Sequence, residues 1–298
     1  MTCNRIVRAA LRGGHFITDP KITPPYAIGK VKKEVLQAGL DATNLVRYIA
    51  YLSDNVELTD DLSDLGQHGA VVLAANNKLT HTPSKPAKMS EEFYNRAYKS
   101  TKTANIHWGT SKVRPFSAVF GFTDDSGPSN IDRLGHRRWI LNPPFKKTGF
   151  GVTDHYIPMQ VFDRSGSGFD YDYVAWPSPG VFPTNLISKN TAWHITLNPK
   201  KYDLVRSKPQ VKLEHTNSGK VWNLSRSMAS SKEPGKAYYN YETNGFGVAN
   251  ATIFRPEFES SFKYKDGDVF KVTVSGVVTP NGKLEDIVYT VKMFDIGN

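Results

Sequence analysis

Helical spacing of apolar residues dominates the first half of the chain, and strand-like alternation dominates the second. Leu45, Ile49 and Leu52 fall at i, i+4 and i+7 and predict a helix over Asp41–Leu52, with Asp41 as its cap. Asn44 and Arg47 sit on another side of it, where the Arg side chain is expected to snorkel or to pair with a carboxylate. A second helix is predicted over Asp61–Asn77. Leu62, Leu65, Val72 and Leu73 give it a buried face, and Gly66, Gly69, Ala70, Ala74 and Ala75 allow close packing. Ser90 caps a third helix; Glu91 and Glu92 suit its macrodipole, and Phe93, Tyr94 and Ala97 supply apolar surface. A fourth runs over Arg114–Thr123 with Phe116, Val119, Phe120 and Phe122, and breaks at Asp124-Asp125-Ser126-Gly127-Pro128. A short helical turn, Trp139–Leu141, must stop at Pro143-Pro144.

Beyond Phe150 and Val152, which alternate as a strand does, the chain reads as sheet. Ile157–Phe162 and Tyr171–Trp176 are expected strands, while Thr103–Gly109 reads as a loop or short edge element. Trp176–Pro183 is too proline-rich for a regular element and is expected to be a wrapped connector. Further strands are expected at Trp193–Leu197, Val211–His215, Val221–Leu224, Gly247–Phe254, Val269–Val274 and Ile287–Phe294. Turn chemistry separates them at Asn217-Ser218-Gly219, Asp266-Gly267-Asp268 and Pro280-Asn281-Gly282. Val272 and Val274 against Lys271 and Thr273 give a two-residue alternation. The pattern predicts an α+β chain: an arm over 1–34, tacked on by Tyr26 and Ile28, a helical domain over 35–188, and an antiparallel β-sandwich over 189–298. The boundary is expected near Leu186–Asn190.

With 298 residues the chain is long enough for a substantial core. No apolar run approaches the length of a membrane helix. The N-terminus lacks the apolar core of a signal peptide, so either the protein is cytosolic or a signal has been removed. The lone Cys3 rules out an internal disulfide and a thiolate metal cluster, and its place in the arm argues against pairing between chains. The formal charge of +10 suits polyanionic surroundings such as anionic cell-envelope polymers. The basic residues are scattered, and no nucleic-acid motif appears.

No nucleotide loop, zinc-protease motif or nucleophile elbow is present. What remains is a dispersed set: His81, Asn105, His107, Asp124, Asp125 and His136. The plain reading of His81 is a cap on the second helix, that of His107 a packed or exposed ring, and that of a lone His136 a structural histidine. Arg137 and Arg138 are expected to pair with Asp124, Asp125 or Asp132; contact with an anionic ligand is the alternative.

The order of these pieces resembles the CAP superfamily (cysteine-rich secretory, antigen 5 and pathogenesis-related proteins, the SCP domain), in its bacterial secreted form. Asn44-Leu45-Val46-Arg47 resembles the family's first-helix Asn-x-x-Arg, and Leu62 to Ala75 its Ala-rich second helix. His81 falls where the first cleft His does, Asn105-Ile106 resembles the Asn-Ile motif, and Gly135-His136 the Gly-His signature. Ile140-Leu141-Asn142-Pro143 with Gly149-Phe150-Gly151-Val152 resembles the bacterial continuation. The likeness covers roughly residues 35–165. It implies a CAP-type α-β-α sandwich, followed here by an immunoglobulin-like β-sandwich, and it points outside the cell. It also implies a cleft lined by His81, Asn105, Asp125 and His136. Ala104 stands where the family's first Glu would be, and Asp125 where the second would be. Zinc or calcium on His81, Asp125 and His136 would therefore have a reduced ligand set.

Three functions follow as expectations. The first is an extracellular binding module presenting the cleft to a lipid, glycan or protein. The second is a metal-assisted or His-dependent hydrolase using His136, with His81 or Asp125 as partner. The third is a structural envelope protein. Ser111, Ser117, Ser126 and Ser129 lie near the cleft in sequence, but none has a recognisable activating neighbour.

Overall fold

The computed structural model describes residues 14–166 and 170–297. Cys3 lies outside them. The described chain forms two compact units. One holds 14–48, 53–123 and 143–166; the other holds 49–52, 124–142 and 170–297. The expected division at 188/189 differs, because residues 124–142 and everything from 170 onward belong with the sandwich.

The first unit contains β1 (Phe16–Thr18), β2 (Lys30–Val31), α1 (Lys33–Ile49), β3 (Glu57–Leu58), α2 (Asp60–Asn76), α3 (Glu91–Lys102), β4 (Ala104–Trp108), α4 (Pro115–Asp124), β5 (Lys147–Thr148) and β6 (Tyr156–Gln160). Helix α1 starts eight residues earlier than its leucine spacing predicts and buries a different face. Val35, Gly39, Ala42, Thr43, Val46 and Arg47 are buried, while Leu45 is 45% exposed. A Cβ on Gly39 would stand 2.6 Å from Pro115 Cβ, so the packing face is made of small residues and the leucine stripe is not the core. Arg47 does not snorkel to the surface. It is buried, donates to the carbonyls of Ser53 (2.8 Å) and Pro143 (3.3 Å), and lies over the Phe145 ring. Burial pulls its pKa down to about 10.

Thr59 caps α2 by accepting Leu62 N–H, and Asn77 ends it in the left-handed conformation that Asn tolerates. Gly66 on α2 meets Gly151 so closely that a Cβ on either would fall within 2.6 Å of the other's backbone. Buried Gln67 fastens the same contact, donating to Val152 C=O and accepting from Val152 N–H at 2.8 Å each. Ser90 caps α3. Tyr26 packs on Phe93 and donates to Ala87 C=O, which holds the arm on the unit.

Thr103–Gly109, read as loop or edge, contains a regular strand. β4 pairs antiparallel with β6 in register, Asn105 opposite Met159. Ala104 and Ile106 pack with Leu73 of α2, while His107, from the other side of the strand, meets Phe122 of α4 edge-on. The small sheet thus lies between helices.

The second unit contains α5 (Gly135–Ile140), β7 (Tyr173–Trp176), β8 (Gly180–Pro183), β9 (Trp193–Leu197), β10 (Gln210–His215), β11 (Lys220–Leu224), β12 (Tyr238–Glu242), β13 (Ala251–Arg255), β14 (Val269–Val278) and β15 (Leu284–Phe294). They form a five-stranded sheet ordered β11-β10-β14-β15-β8 and a four-stranded sheet ordered β12-β13-β9-β7. The proline-rich Trp176–Pro183 stretch is no mere connector: β8 pairs parallel with β15 at the sheet edge, where a proline is tolerated. The other pairings in the two sheets are antiparallel. Val211, Leu213, Val272, Val274, Tyr289 and Val291 fill the interior, and Trp193 reaches Tyr264 OH at 3.1 Å. On the outer side of the four-stranded sheet, Ile131 and Leu134 pack with Ala192, Tyr238, Ala251 and Ile253. That contact draws 124–142 into this unit.

Candidate functional site

Asp125 and His136 come together at the start of α5. His136 Nδ1 donates to Asp125 Oδ1 at 2.7 Å, and the backbone N–H groups of His136 (2.8 Å) and Arg137 (3.4 Å) point at Oδ2. The carboxylate therefore caps the helix and orients the imidazole in one stroke. Asp125 takes a left-handed φ of 43°, which an Asp sustains when its side chain is tied locally. Its side chain is 1% exposed, against 24% for His136. With Nδ1 holding the proton toward Asp125, neutral His136 carries its acceptor lone pair on Nε2.

The two arginines that follow are architectural. Arg137 is fully buried, donates to Ala192 C=O (2.7 Å), to Asp124 C=O and to Ser126 Oγ (3.4 Å), and reaches His194 Nδ1 at 3.4 Å. Desolvation pulls its pKa down to about 10 against the pull of Asp124 and Asp125. His194 stays neutral, held well below the usual imidazole range by burial and then by Arg137 and Arg138. Arg138 does not pair with the aspartates before it. It pairs with Glu242 on β12, donates to the carbonyls of Asn244 and Val248, and lies 5.2 Å from the Phe246 ring centre. Buried guanidiniums engaged with the sheet's own groups are anchors, not ligand contacts. Ile140 is buried, whereas its neighbour Trp139 is only half-buried.

Ser126, the serine nearest the dyad in sequence, is engaged as well. Its Oγ donates to Asp124 C=O and accepts from Ala192 N–H at 2.8 Å. Thr191 Oγ1 donates to Asp124 Oδ1 at 2.8 Å. Ser126, Thr191, His194 and Glu242 hold Asp124, Arg137 and Arg138 beside the dyad, and sequence reasoning missed their part in it. Three of them lie more than fifty residues beyond His136 and carry no motif.

His81 and Asn105 belong to the first unit. His81 is exposed and does not cap α2. Its Nδ1 donates to Thr101 C=O of α3 at 2.6 Å, and Thr101 Oγ1 returns a bond to His81 C=O. A carbonyl only accepts, so neutral His81 also carries its lone pair on Nε2. Asn105 is buried in β4, on the same side of the strand as His107. His107 is half-buried.

Among the described residues, no group of three or more His, Cys, Asp or Glu side chains is placed to hold a metal ion. Both Asp125 oxygens face N–H donors, those of His136 and Arg137.

Another hydrogen-bonded histidine, His215, stands in the sandwich. His215 Nδ1 lies 2.9 Å from Ser218 Oγ in the β10–β11 turn, and Nε2 lies 3.3 Å from Asp268 Oδ1 before β14. The ring stacks on Phe270 at 4.7 Å. This chain of contacts pins the turn to the neighbouring strand.

No family model matches the sequence, and no curated protein matches it either. Among solved structures, CopC from Methylosinus trichosporium OB3b is 12% identical and covers 42% of this chain and 92% of its own, with a TM-score of 0.25. The archaellum periplasmic stator complex FlaF and FlaG from Sulfolobus acidocaldarius is 13% identical over 43% of this chain and 96% of its own, with a TM-score of 0.22. FlaG from the same organism is 14% identical over 36% and 96%, with a TM-score of 0.19. No helix among the described residues is long and apolar enough to cross a membrane.

Proposed function

We propose that this chain is an extracellular binding module of the CAP type, in which His136 contacts a lipid, glycan or protein ligand at a cell surface. The single observation carrying this reading is the Asp125–His136 pair: a buried carboxylate fixing the tautomer of a partly exposed imidazole. Such a ring offers Nε2 as a preorganised acceptor for a ligand hydroxyl or amide. The helix–sheet–helix layering of the first unit, the buried Arg47 of Asn44-x-x-Arg47, and the Gly66–Gly151 contact support the CAP assignment. The immunoglobulin-like sandwich then serves as a spacer or second contact surface.

One observation favours a second reading. An Asp–His pair is also the orienter–base half of an acid–base site, so His136 Nε2 is placed to take a proton from a water that attacks a carbonyl. Ser126 is not the nucleophile in that reading, since its hydroxyl is engaged by Asp124 and Ala192.

Three variants separate these readings: His136→Ala, His136→Gln and Asp125→Asn. Each is assayed with isolated cell-wall glycan, with phospholipid vesicles, and for p-nitrophenyl acetate hydrolysis. The binding reading expects one probe to be retained by the wild type and about tenfold weaker with His136→Ala, one charge-free hydrogen bond being worth about 1 kcal/mol or slightly more. His136→Gln should recover part of it with an unchanged Tm. Retention unaffected by His136→Ala would sink the module as described. Turnover abolished by His136→Ala and reduced by Asp125→Asn would move the assignment to hydrolysis.

A further inference from the structure

The sandwich carries a second concavity, far from His136 in sequence and independent of it. It lies at the open edge between the two sheets, where the start of β10, the end of β11 and β12 meet. Lys208, Gln210, Ser225, Arg226, Ser227 and Tyr241 line it, and its volume is about 190 Å³. No Asp or Glu is among its walls.

Two cations on this wall lack counter-charges. Arg226 donates once, to Tyr241 C=O at 3.3 Å, and its guanidinium lies 5.7 Å from the Tyr241 ring centre. Lys208 donates to Val205 C=O at 3.2 Å. Among the described residues neither joins an ion pair, and most of their N–H donors remain for a ligand. The carboxylate in the adjoining loop, Asp203, is already engaged. It accepts from the backbone N–H groups of Val205 and Arg206 and pairs with the Arg206 guanidinium. Ser225 and Ser227 add two hydroxyls, 2.9 Å apart.

The floor is rigid. Tyr241 OH donates to Leu204 C=O at 2.8 Å and also accepts from Asn250, and Tyr239 OH donates to Pro209 C=O. Both rings are over 90% buried, so they shape the pocket without offering a stacking face.

We propose that this pocket binds a phosphate-bearing group. A guanidinium, an ammonium and a pair of hydroxyls suit an oxyanion with several oxygens in different directions, better than a planar carboxylate. The volume is below the roughly 300–1,000 Å³ of sites for drug-sized ligands, so the occupant is a headgroup and not an extended chain segment. Two sources carry that chemistry: a polyol phosphate of a surface polymer and a phospholipid headgroup.

The full chain is titrated with inorganic phosphate, with glycerol 3-phosphate and with sodium acetate by calorimetry. Flotation is run with vesicles of phosphatidylcholine alone and mixed with phosphatidylglycerol. The test variant is Lys208→Gln/Arg226→Gln. The control is Lys263→Gln/Lys271→Gln, which removes the same charge from exposed positions outside the pocket. Binding of a phosphate probe, at least tenfold weaker in the test variant and unchanged in the control, bears the proposal out. Loss of flotation on anionic vesicles in the test variant alone assigns the lipid source; glycerol 3-phosphate binding without flotation assigns the polymer. Equal loss in both variants, equal affinity for acetate, or no response to any phosphate probe overturns it. None of these residues touches Asp125 or His136, so failure here leaves the His136 reading standing, and the reverse.

Discussion

The two sheets of the sandwich solve the same folding problem with opposite chemistry. In the five-stranded sheet, β10, β14 and β15 alternate between buried and more exposed positions, with Lys212, Lys271 and Thr290 outward and Val211, Val272 and Val291 inward. In the four-stranded sheet, β9 and β13 are buried at every position. The outer face of that sheet carries His194, Glu242 and Arg255, all buried, and the segment 124–142 lies on it. A polar side chain in a strand therefore marks solvent in one sheet and a docking partner in the other. Buried polar groups require partners, and here Arg137 and Arg138 supply them. The same segment delivers Asp125 and His136, so the candidate site depends on the polar sheet holding its cover.

The sharpest way to break the comparison is to remove one member of the buried pair. Arg138→Met leaves the Glu242 carboxylate buried without its guanidinium and is expected to cost about 3–5 kcal/mol in urea unfolding. Arg138→Met/Glu242→Leu should recover much of that, because both charges leave together. A loss below about 1 kcal/mol for Arg138→Met would mean that the outer face is solvated and the contrast between the sheets is wrong.

Acid provides an intermediate effect. His194 has a depressed pKa in the fold and the ordinary 6.5 when unfolded. Below pH 6.5 the unfolded chain binds a proton that the folded chain refuses, so stability falls as pH drops, by up to about 1.4 kcal/mol per pH unit. Above pH 6.5 the contribution is flat. His15, lowered by burial and then by Arg114, acts in the same direction in the other unit. The difference between wild type and His194→Gln in unfolding curves from pH 7.5 to 5 isolates the sandwich term. Superimposable pH profiles would show that His194 is charged in the fold.

The smallest effect belongs to the alternating sheet. Lys212 Nζ lies 3.6 Å from Glu214 with both side chains partly exposed, and Lys212→Ala should change stability by about 0–1 kcal/mol. A loss comparable to that of Arg138→Met would erase the distinction.

Sequence reasoning succeeded where burial is one-sided. Val272 and Val274 against Lys271 and Thr273 identified β14, and the Gly and Asn turns identified the hairpins. It failed where both faces are covered or where the packing face is small. β12 was not anticipated: its Tyr-Tyr-Asn-Tyr-Glu run shows no apolar alternation, because Asn240 and Glu242 serve the docked segment. On α1 the leucine spacing was a false guide, since Gly39 and Ala42 are the contact surface. At the site, Asp125 and His136 were both picked out, and they do meet. The arginines beside them were matched to nearby aspartates, whereas Arg138 reaches Glu242, 104 residues on.

The sequence by itself determined the local elements and the chemistry on offer: capped helices, a Pro-Pro stop, hairpin turns, and a short list of imidazoles and carboxylates. These depend on interactions within a few residues, which the order of the chain encodes directly. Only the tertiary structure decided which polar groups are buried and with whom. The sheet that receives Arg137 and Arg138 is assembled from strands scattered over more than eighty residues, and burial there is what turns ordinary side chains into anchors and keeps His194 neutral.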